Sequence, residues 1–294
     1  MNRSQSSHHR LAIACLLFSA SMWGLIWYPI RLLEDAGMSA VWSSLVMYVA
    51  AGILVIPVLW RQYHTISQHL SDLLILAIAA GVTNVTFLVA LTEGEVMRVM
   101  LLFYLSPLWT VLLGRWWLKE KLSLAAIVML TIAMSGSIVM LWNKEIGWPW
   151  PHGLADWLAL TASLAFSINN VQARKLGTVS MSVKTSIIWW GVVITSVLVL
   201  LIQQSPIPDS SITAWVGAWL LGWLAIVAMT IAVLYGVANM PVYRSSVIML
   251  FELVVAAFAT WLLTNEAMTL QEWLGGGLIL LAAYGVARIE MKSE

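Results

Sequence analysis

The chain has 294 residues, of which 61% are hydrophobic and only 10% are charged. An ordinary soluble domain carries about a quarter charged residues, so this composition excludes a soluble globular protein and indicates a chain immersed in lipid. The net charge of +1 gives no reason to expect nucleic acid as a partner. The lipid bilayer is therefore the first predicted partner.

Apolar stretches of roughly 20 residues, the length that crosses a bilayer, follow one another along the chain. Numbered as spans 1 to 10, they fall near 11–33, 39–60, 72–92, 97–117, 123–142, 153–174, 181–203, 213–237, 241–264 and 271–289. The Pro- and Trp-containing break at 143–152 separates two sets of five. The sequence predicts an all-α membrane protein with ten transmembrane helices: a cytoplasmic tail at 1–10, a first five-helix repeat at 11–142 and a second at 153–289.

One segment of the first repeat returns in altered form in the second. Residues 114–123 read GRWWLKEKLS and residues 260–269 read TWLLTNEAMT, so Glu120 aligns with Glu266 while the flanking basic residues are lost. If the N-terminus is cytoplasmic, twelve of the 15 Lys and Arg residues fall on the cytoplasmic side, as the positive-inside rule requires. Because five spans is an odd number, the second repeat is predicted to be inverted, with both termini cytoplasmic.

Inverted helical repeats are a recurrent architecture of secondary transporters, which hold their substrate near the midplane between the repeats. All five histidines lie in the tail or in loops, which removes the usual metal ligands and proton shuttles from the spans. The phosphate-binding pattern GxxxxGKS/T is absent from the sequence. No histidine or aspartate lies at depth to activate a serine or threonine nucleophile. We expect a transporter rather than an enzyme, with no cofactor and no metal.

One acidic residue, Glu252, lies in the middle of span 9. An ionised carboxylate there costs several kcal/mol unless it is partnered or faces water. Arg244 points the same way from the helix but lies about 12 Å away along it. Glu252 could be a proton site or the partner of a substrate ammonium, with Arg244 as a second charge. It could equally be a structural carboxylate bonded to an Asn or Ser of a neighbouring helix.

Polar and aromatic residues recur at spacings of three and four on several spans, which places them on common helical faces. Such stripes can line a largely apolar cavity with a few directed hydrogen bonds. For any single residue, ordinary helix packing and interhelical hydrogen bonding explain the pattern as well. The candidate substrate-cavity residues are Trp27, Tyr28, Tyr48, Asn84, Phe87, Tyr104, Ser167, Asn170, Trp190, Tyr235, Asn239 and Glu252.

Three segments resemble the EamA-type drug/metabolite transporters: ASMWGLIWYPIRLLEDAGMSAVW in span 1, YLSPLWTVLLGRWWLKEKLS through spans 4 and 5, and FELVVAAFATWLLTNEAMT in span 9. Within that family the chain looks like the YddG branch of bacterial inner-membrane exporters of aromatic amino acids. The resemblance implies that spans 1–4 and 6–9 surround a central cavity and that spans 5 and 10 support it from outside. It also implies export of small metabolites.

The chain departs from this pattern in span 2, where many relatives carry an arginine and VWSSLVMYVAAG has only Met47 and Tyr48. Relatives with anionic substrates are therefore poorer guides, and a tryptophan-rich cavity suits flat substrates that can stack. We expect a monomeric exporter of aromatic and other bulky apolar amino acids, such as phenylalanine, tryptophan and tyrosine, working by alternating access as a uniporter. The alternative is an exporter of hydrophobic cations or other metabolites, coupled to protons through Glu252.

Overall fold

The structure, a computed structural model, describes residues 3–142, 150–263 and 268–289, and only the backbone of residues 3–8 and 289. Glu266, Lys144 and Lys292, which entered the predictions of inversion and orientation, lie outside the described residues. The helices are α1 (Arg3–Asp35), α2 (Ala40–Leu54), α3 (Ile56–Arg61), α4 (Tyr63–Gln68), α5 (Leu70–Glu93), α6 (Val96–Phe103), α7 (Ser106–Trp117), α8 (Leu124–Leu141), α9 (Leu154–Lys175), α10 (Met181–Ile202), α11 (Ile212–Leu221), α12 (Val227–Asn239), α13 (Val242–Met249), α14 (Phe251–Leu263) and α15 (Leu270–Ile289), with a π-helical segment at Gly222–Ile226 between α11 and α12.

Within the described ranges, eight helical segments are long and apolar enough to cross a membrane. They correspond to spans 1, 3, 4, 5, 7, 8, 9 and 10, so the chain is a multi-pass membrane protein. Span 2 contains α2, which is apolar but only 15 residues long. Span 6 is α9, which has 22 residues but carries several charged and amide side chains. The count of ten spans therefore stays a prediction.

Spans 4 and 9 are interrupted at corresponding positions. In span 4, α6 ends at Phe103 and α7 starts at Ser106, with Pro107 in its first turn. In span 9, α13 ends at Met249 and α14 starts at Phe251. Proline lacks the N–H that a continuous helix needs, which explains the first break, whereas no proline accompanies the second. Both breaks place a short turn with hydrogen bonds between residues three apart near the middle of a span.

Contacts between the two halves of the chain come in matched pairs. Helix α9 packs along α5 and α7, as α1 packs along α12 and α14. Helix α10 packs along α5, as α2 packs on α11 and the π-helical segment. In each pair the two halves exchange roles, which is the arrangement that a pseudo-twofold axis between them produces.

Spans 5 and 10 pack on each other through small residues. A Cβ atom added to Gly136 of α8 would lie 2.7 Å from the carbonyl oxygen of Gly275 in α15, so the two backbones touch there. Such close approach of small residues is the common way for membrane helices to associate. This pair lies beside spans 4 and 9, where α8 contacts α6 and α13 and α15 contacts α13 and α14.

Candidate functional site

A central cavity lies between the two halves of the bundle. Its volume is about 150 Å³, which is room for about five waters at ~30 Å³ each or for one small organic solute. Every span except 5 and 10 contributes to its lining. The lining residues are Trp23, Tyr48, Ala80, Thr83, Asn84, Phe87, Phe103, Tyr104, Ser106, Pro107, Phe166, Asn169, Asn170, Ile188, Val192, Thr230, Val233, Leu234, Ser246, Met249, Leu250 and Glu252.

One side of the cavity is an aromatic wall, defined by Phe87, Phe103, Phe166 and Tyr104. The ring of Phe103 lies at its centre, with its centroid 4.5 Å from that of Phe87 and 5.6 Å from that of Phe166. Tyr104 meets the same ring edge-on at 5.6 Å. Aromatic rings prefer tilted and edge-to-face contacts at these distances. The wall therefore offers a further ring a surface on which to pack.

Glu252 and Tyr104 meet at the two helix breaks. Tyr104 follows the last residue of α6, and Glu252 lies in the first turn of α14. The Tyr104 hydroxyl donates a 2.9 Å hydrogen bond to Oε1 of Glu252. Within the described residues, this is the only hydrogen bond to the Glu252 carboxyl group. Glu252 is a lining residue of the cavity, and its carboxyl group retains acceptor capacity.

Several lining positions correspond between the repeats. Trp23 and Phe166 are 143 positions apart, and Asn84 and Thr230 are 146 apart, as are Ser106 and Glu252. The side chains at corresponding positions differ: one half places a serine where the other places the acid. The two halves thus contribute lining residues at corresponding backbone positions, but the chemical character of the side chains at these positions differs.

Packing supports the match between Ser106 and Glu252. Ser167 of α9 donates a 2.8 Å hydrogen bond to the backbone carbonyl of Ser106. At the corresponding place in α1, a Cβ on Gly24 would lie 2.6 Å from the backbone carbonyl of Glu252. The same two helix crossings thus bring spans 6 and 4, and spans 1 and 9, into contact at equivalent carbonyl groups.

Six of the twelve predicted cavity residues line this space: Tyr48, Asn84, Phe87, Tyr104, Asn170 and Glu252. Tyr48 is 5% exposed and Asn170 7% exposed. Asn84 accepts a 2.7 Å hydrogen bond from Ser44 through Oδ1, which fixes its amide against span 2.

The other predicted residues lie elsewhere. Trp27 and Tyr28 pack edge-to-face with each other, and the Trp190 ring lies against Gly52 of α2. Ser167 is buried in the contact with span 4 described above.

Three further predicted residues belong to the end of the bundle near the start of α13. The Asn239 amide bonds the backbone carbonyl of Tyr235 within α12. Arg244, the second predicted charge site, is buried and donates through Nε to the Tyr243 hydroxyl at 2.9 Å. None of the three lines the cavity.

Four notable lining residues were absent from the predicted set: Trp23, Phe103, Phe166 and Asn169. Asn169 has a buried Oδ1 that accepts no hydrogen bond within the described residues. Each of the four neighbours a predicted residue or shares a helical face with one. The correspondence of Trp23 with Phe166 at an offset of 143 was a usable signal, because both are aromatic in a repeat with few identities.

At one end of the bundle, Glu120 ties together four elements; with Arg174 and Val242 it forms what we call the Glu120 network. Arg174 Nε donates to Oε1 of Glu120 at 2.8 Å, and the backbone N–H of Val242 donates to the same carboxylate. Arg174 also donates to the carbonyls of Val237 and Ala238. Burial raises the pKa of Glu120 above its ordinary value, and Arg174 offsets only part of that rise. The network joins the loop after span 4 to the ends of spans 6, 8 and 9.

A second ion pair closes the opposite end of spans 4 and 6. Arg98 Nε lies 2.9 Å from both carboxylate oxygens of Asp156, and their side chains are 12% and 7% exposed. Arg98 also donates to the carbonyl of Trp150, and Asp156 accepts from the backbone N–H of His152. Spans 4 and 6 are therefore tied at both ends and at the Ser167 contact between them.

A bundle of membrane helices with a central cavity that both halves of the chain line is the architecture of a multi-pass transporter of small molecules. The sequence matches the EamA-like transporter family twice, over residues 10–142 and again over 153–288. The chain belongs to this family, whose members are transporters rather than enzymes.

A chain of known structure, described only as "Crystal structure of protein", matches with a TM-score of 0.71 at 16% identity. The match covers 98% of this chain and 99% of that one. At this identity the likeness concerns the fold alone. No curated protein sequence matches the chain.

Proposed function

We propose that the protein exports aromatic and other bulky apolar amino acids, with phenylalanine, tryptophan and tyrosine as its principal cargo. The observation that carries the proposal is the aromatic wall around Phe103 in a cavity that also holds amide and hydroxyl groups. A flat apolar side chain can pack on the wall while the polar end of the cargo meets the amides. The resemblance to the YddG branch points to the same cargo and to a bacterial inner membrane.

The proposed topology has ten spans in two inverted five-helix repeats, at 11–142 and 153–289, with the tail at 1–10 and both termini in the cytoplasm. The exchanged contacts between the halves and the matched breaks in spans 4 and 9 support it. Five spans per repeat require inversion, and the distribution of basic residues sets the orientation. In this topology the Glu120 network lies at the cytoplasmic end and the Arg98–Asp156 pair at the outer end.

The proposed mechanism is alternating access by a monomer, in which the cavity opens to one side at a time. The polar ties at the two ends are the contacts that such a cycle must break and remake. Uniport is the simplest form, because Glu252 is the only acidic residue among the described lining residues. That same residue favours a second candidate, the proton-coupled export of hydrophobic cations or other metabolites.

Counterflow in proteoliposomes tests the cargo. Vesicles loaded with unlabelled phenylalanine are mixed with external labelled phenylalanine, tryptophan, lysine or a lipophilic cation, with and without a pH gradient. We expect phenylalanine and tryptophan to accumulate, lysine to stay near the level of protein-free vesicles, and the pH gradient to have little effect. Failure of both aromatic amino acids to accumulate would remove the assignment. Accumulation of the cation alone, dependent on the gradient, would establish the second candidate instead.

A further inference from the structure

The charge pattern of the cavity bears on which part of the cargo is recognised. Glu252 is the one charged side chain among the described lining residues, and Lys, Arg and His are all missing from that lining. The remaining polar lining groups are the hydroxyl and amide groups of Ser, Thr, Tyr and Asn and the indole N–H of Trp23. A cargo ammonium therefore finds an opposite charge in the cavity, whereas a cargo carboxylate finds only neutral donors.

The position of Glu252 suits this role. Tyr104 satisfies one carboxylate oxygen, and an ammonium group in the cavity would satisfy the remaining acceptor capacity. An ionised carboxylate within a membrane protein is tolerated when it is partnered in this way. At the corresponding position the first half of the chain has the neutral Ser106. Only the second half of the chain therefore places a charged group at this pair of positions.

The aromatic wall completes the geometry. Tyr104 belongs to both groups: its ring packs on Phe103 at 5.6 Å, and its hydroxyl binds Glu252. The wall and the carboxylate are thus adjacent, within reach of the two ends of one small molecule that joins an aromatic ring to an amino group by a short chain.

We propose that Glu252 binds the amino group of the cargo and that this amino group is the main polar feature by which the cargo is recognised; this inference rests on the proposed function. Aromatic amines that lack a carboxylate are then substrates as well. The carboxylate of an amino acid is carried without a charged partner, at the cost of its desolvation. Phenethylamine therefore binds at least as tightly as phenylalanine, and 3-phenylpropanoate, which lacks the amine, binds most weakly.

The test compares these three ligands on the full-length protein in detergent. Equilibrium binding at neutral pH is measured by isothermal titration for the wild type, for Glu252→Gln, and for the matched control Glu95→Gln. Glu95 is an exposed loop carboxylate that makes no side-chain cap bond. We expect Glu252→Gln to weaken phenethylamine binding about 10- to 100-fold, the loss typical of a hydrogen bond between charged groups. Glu95→Gln should bind like the wild type.

Equal affinity of 3-phenylpropanoate and phenethylamine for the wild type overturns the inference, and this comparison needs no variant to fold. Unchanged phenethylamine affinity in a monodisperse Glu252→Gln protein overturns it as well. Counterflow of phenylalanine is measured in parallel to separate the two proposals. Amine binding without phenylalanine transport would defeat the proposed function and leave this inference standing, while phenylalanine transport with unselective binding would do the reverse.

Discussion

Replacing Gly24 with alanine tests the contact between spans 1 and 9 beside Glu252. The added Cβ would lie 2.6 Å from the Glu252 carbonyl oxygen, 3.0 Å from Cβ of Val255 and 3.1 Å from the Ala256 nitrogen. Ordinary contact begins near 3.4 Å, so the helices must separate by about 0.8 Å or bend. Overpacking of this kind costs about 1–3 kcal/mol.

The matched control is Gly277→Ala in α15, where an added Cβ meets nothing within 4 Å. Both changes gain the same helix propensity, about 1 kcal/mol, so the difference between the two variants isolates the packing cost. We expect Gly24→Ala to melt several degrees below Gly277→Ala, at about 2–4 °C per kcal/mol. We also expect the half-saturation concentration for phenylalanine to rise, because the displaced segment carries Glu252.

Thermal stability is measured on purified protein as the loss of the monodisperse size-exclusion peak after heating. The half-saturation concentration for phenylalanine is measured by counterflow. If Gly24→Ala melts within ~1 °C of Gly277→Ala and transports phenylalanine normally, spans 1 and 9 do not touch as described. In that case the equivalence of this crossing with the one at Ser167 and Ser106 is refuted as well.

Two further predictions concern the ends and the wall of the cavity. Arg174→Met removes the partner of the part-buried Glu120, whereas the neighbouring Lys175→Met removes a charged side chain that is 47% exposed. The first change should lower the free energy of unfolding by about 1–3 kcal/mol and the second by less than about 1 kcal/mol, as measured by thermal unfolding. Equal losses would contradict a stabilising ion pair at Glu120. Phe103→Leu removes the central ring of the aromatic wall. The half-saturation concentration for phenylalanine counterflow should rise about 2- to 10-fold, because an aromatic pair contributes about 0.5–1.5 kcal/mol, while that for leucine should hardly change. A parallel rise for both amino acids would show that the ring only supports the fold.

Composition and span length were sufficient to predict an all-helical membrane chain, because lipid leaves few alternatives to long apolar helices. They were less informative where a helix serves the cavity. Helix α9 carries the polar residues Asp156, Asn170 and Arg174, which lower its mean hydropathy. Asp156 and Arg174 form ion pairs within the protein, and Asn170 borders the cavity. Helix α2 ends early at Leu54, and Pro57 follows in the first turn of α3.

Whether a candidate residue borders the cavity depends on its depth along the span as well as on its helical face. Asn84 lies in the central part of α5 and lines the cavity, whereas Asn239 is the last residue of α12 and lies beyond it. Trp27 lies one turn along the same face from Trp23, and only Trp23 reaches the cavity. Helical periodicity identifies a face and leaves the depth of the site along the helix undetermined.

The contact between Tyr104 and Glu252 could not be predicted from periodicity. The two residues are 148 positions apart, and their meeting depends on how spans 4 and 9 cross at their breaks. Sequence reasoning left Glu252 open between a cavity group and a structural carboxylate bonded to Asn or Ser. The observed partner is a tyrosine hydroxyl, from a residue that also borders the cavity.

The most direct test of a cargo cavity between the two halves is protection of a cysteine placed in its lining. In a Cys15→Ser background, Ser246→Cys adds one thiol at a small, buried lining position, and proteoliposomes are treated with a methanethiosulfonate reagent. We predict that labelling blocks phenylalanine counterflow and that saturating phenylalanine slows the labelling severalfold. Full transport by the labelled protein, or labelling at the same rate with and without phenylalanine, would contradict the account.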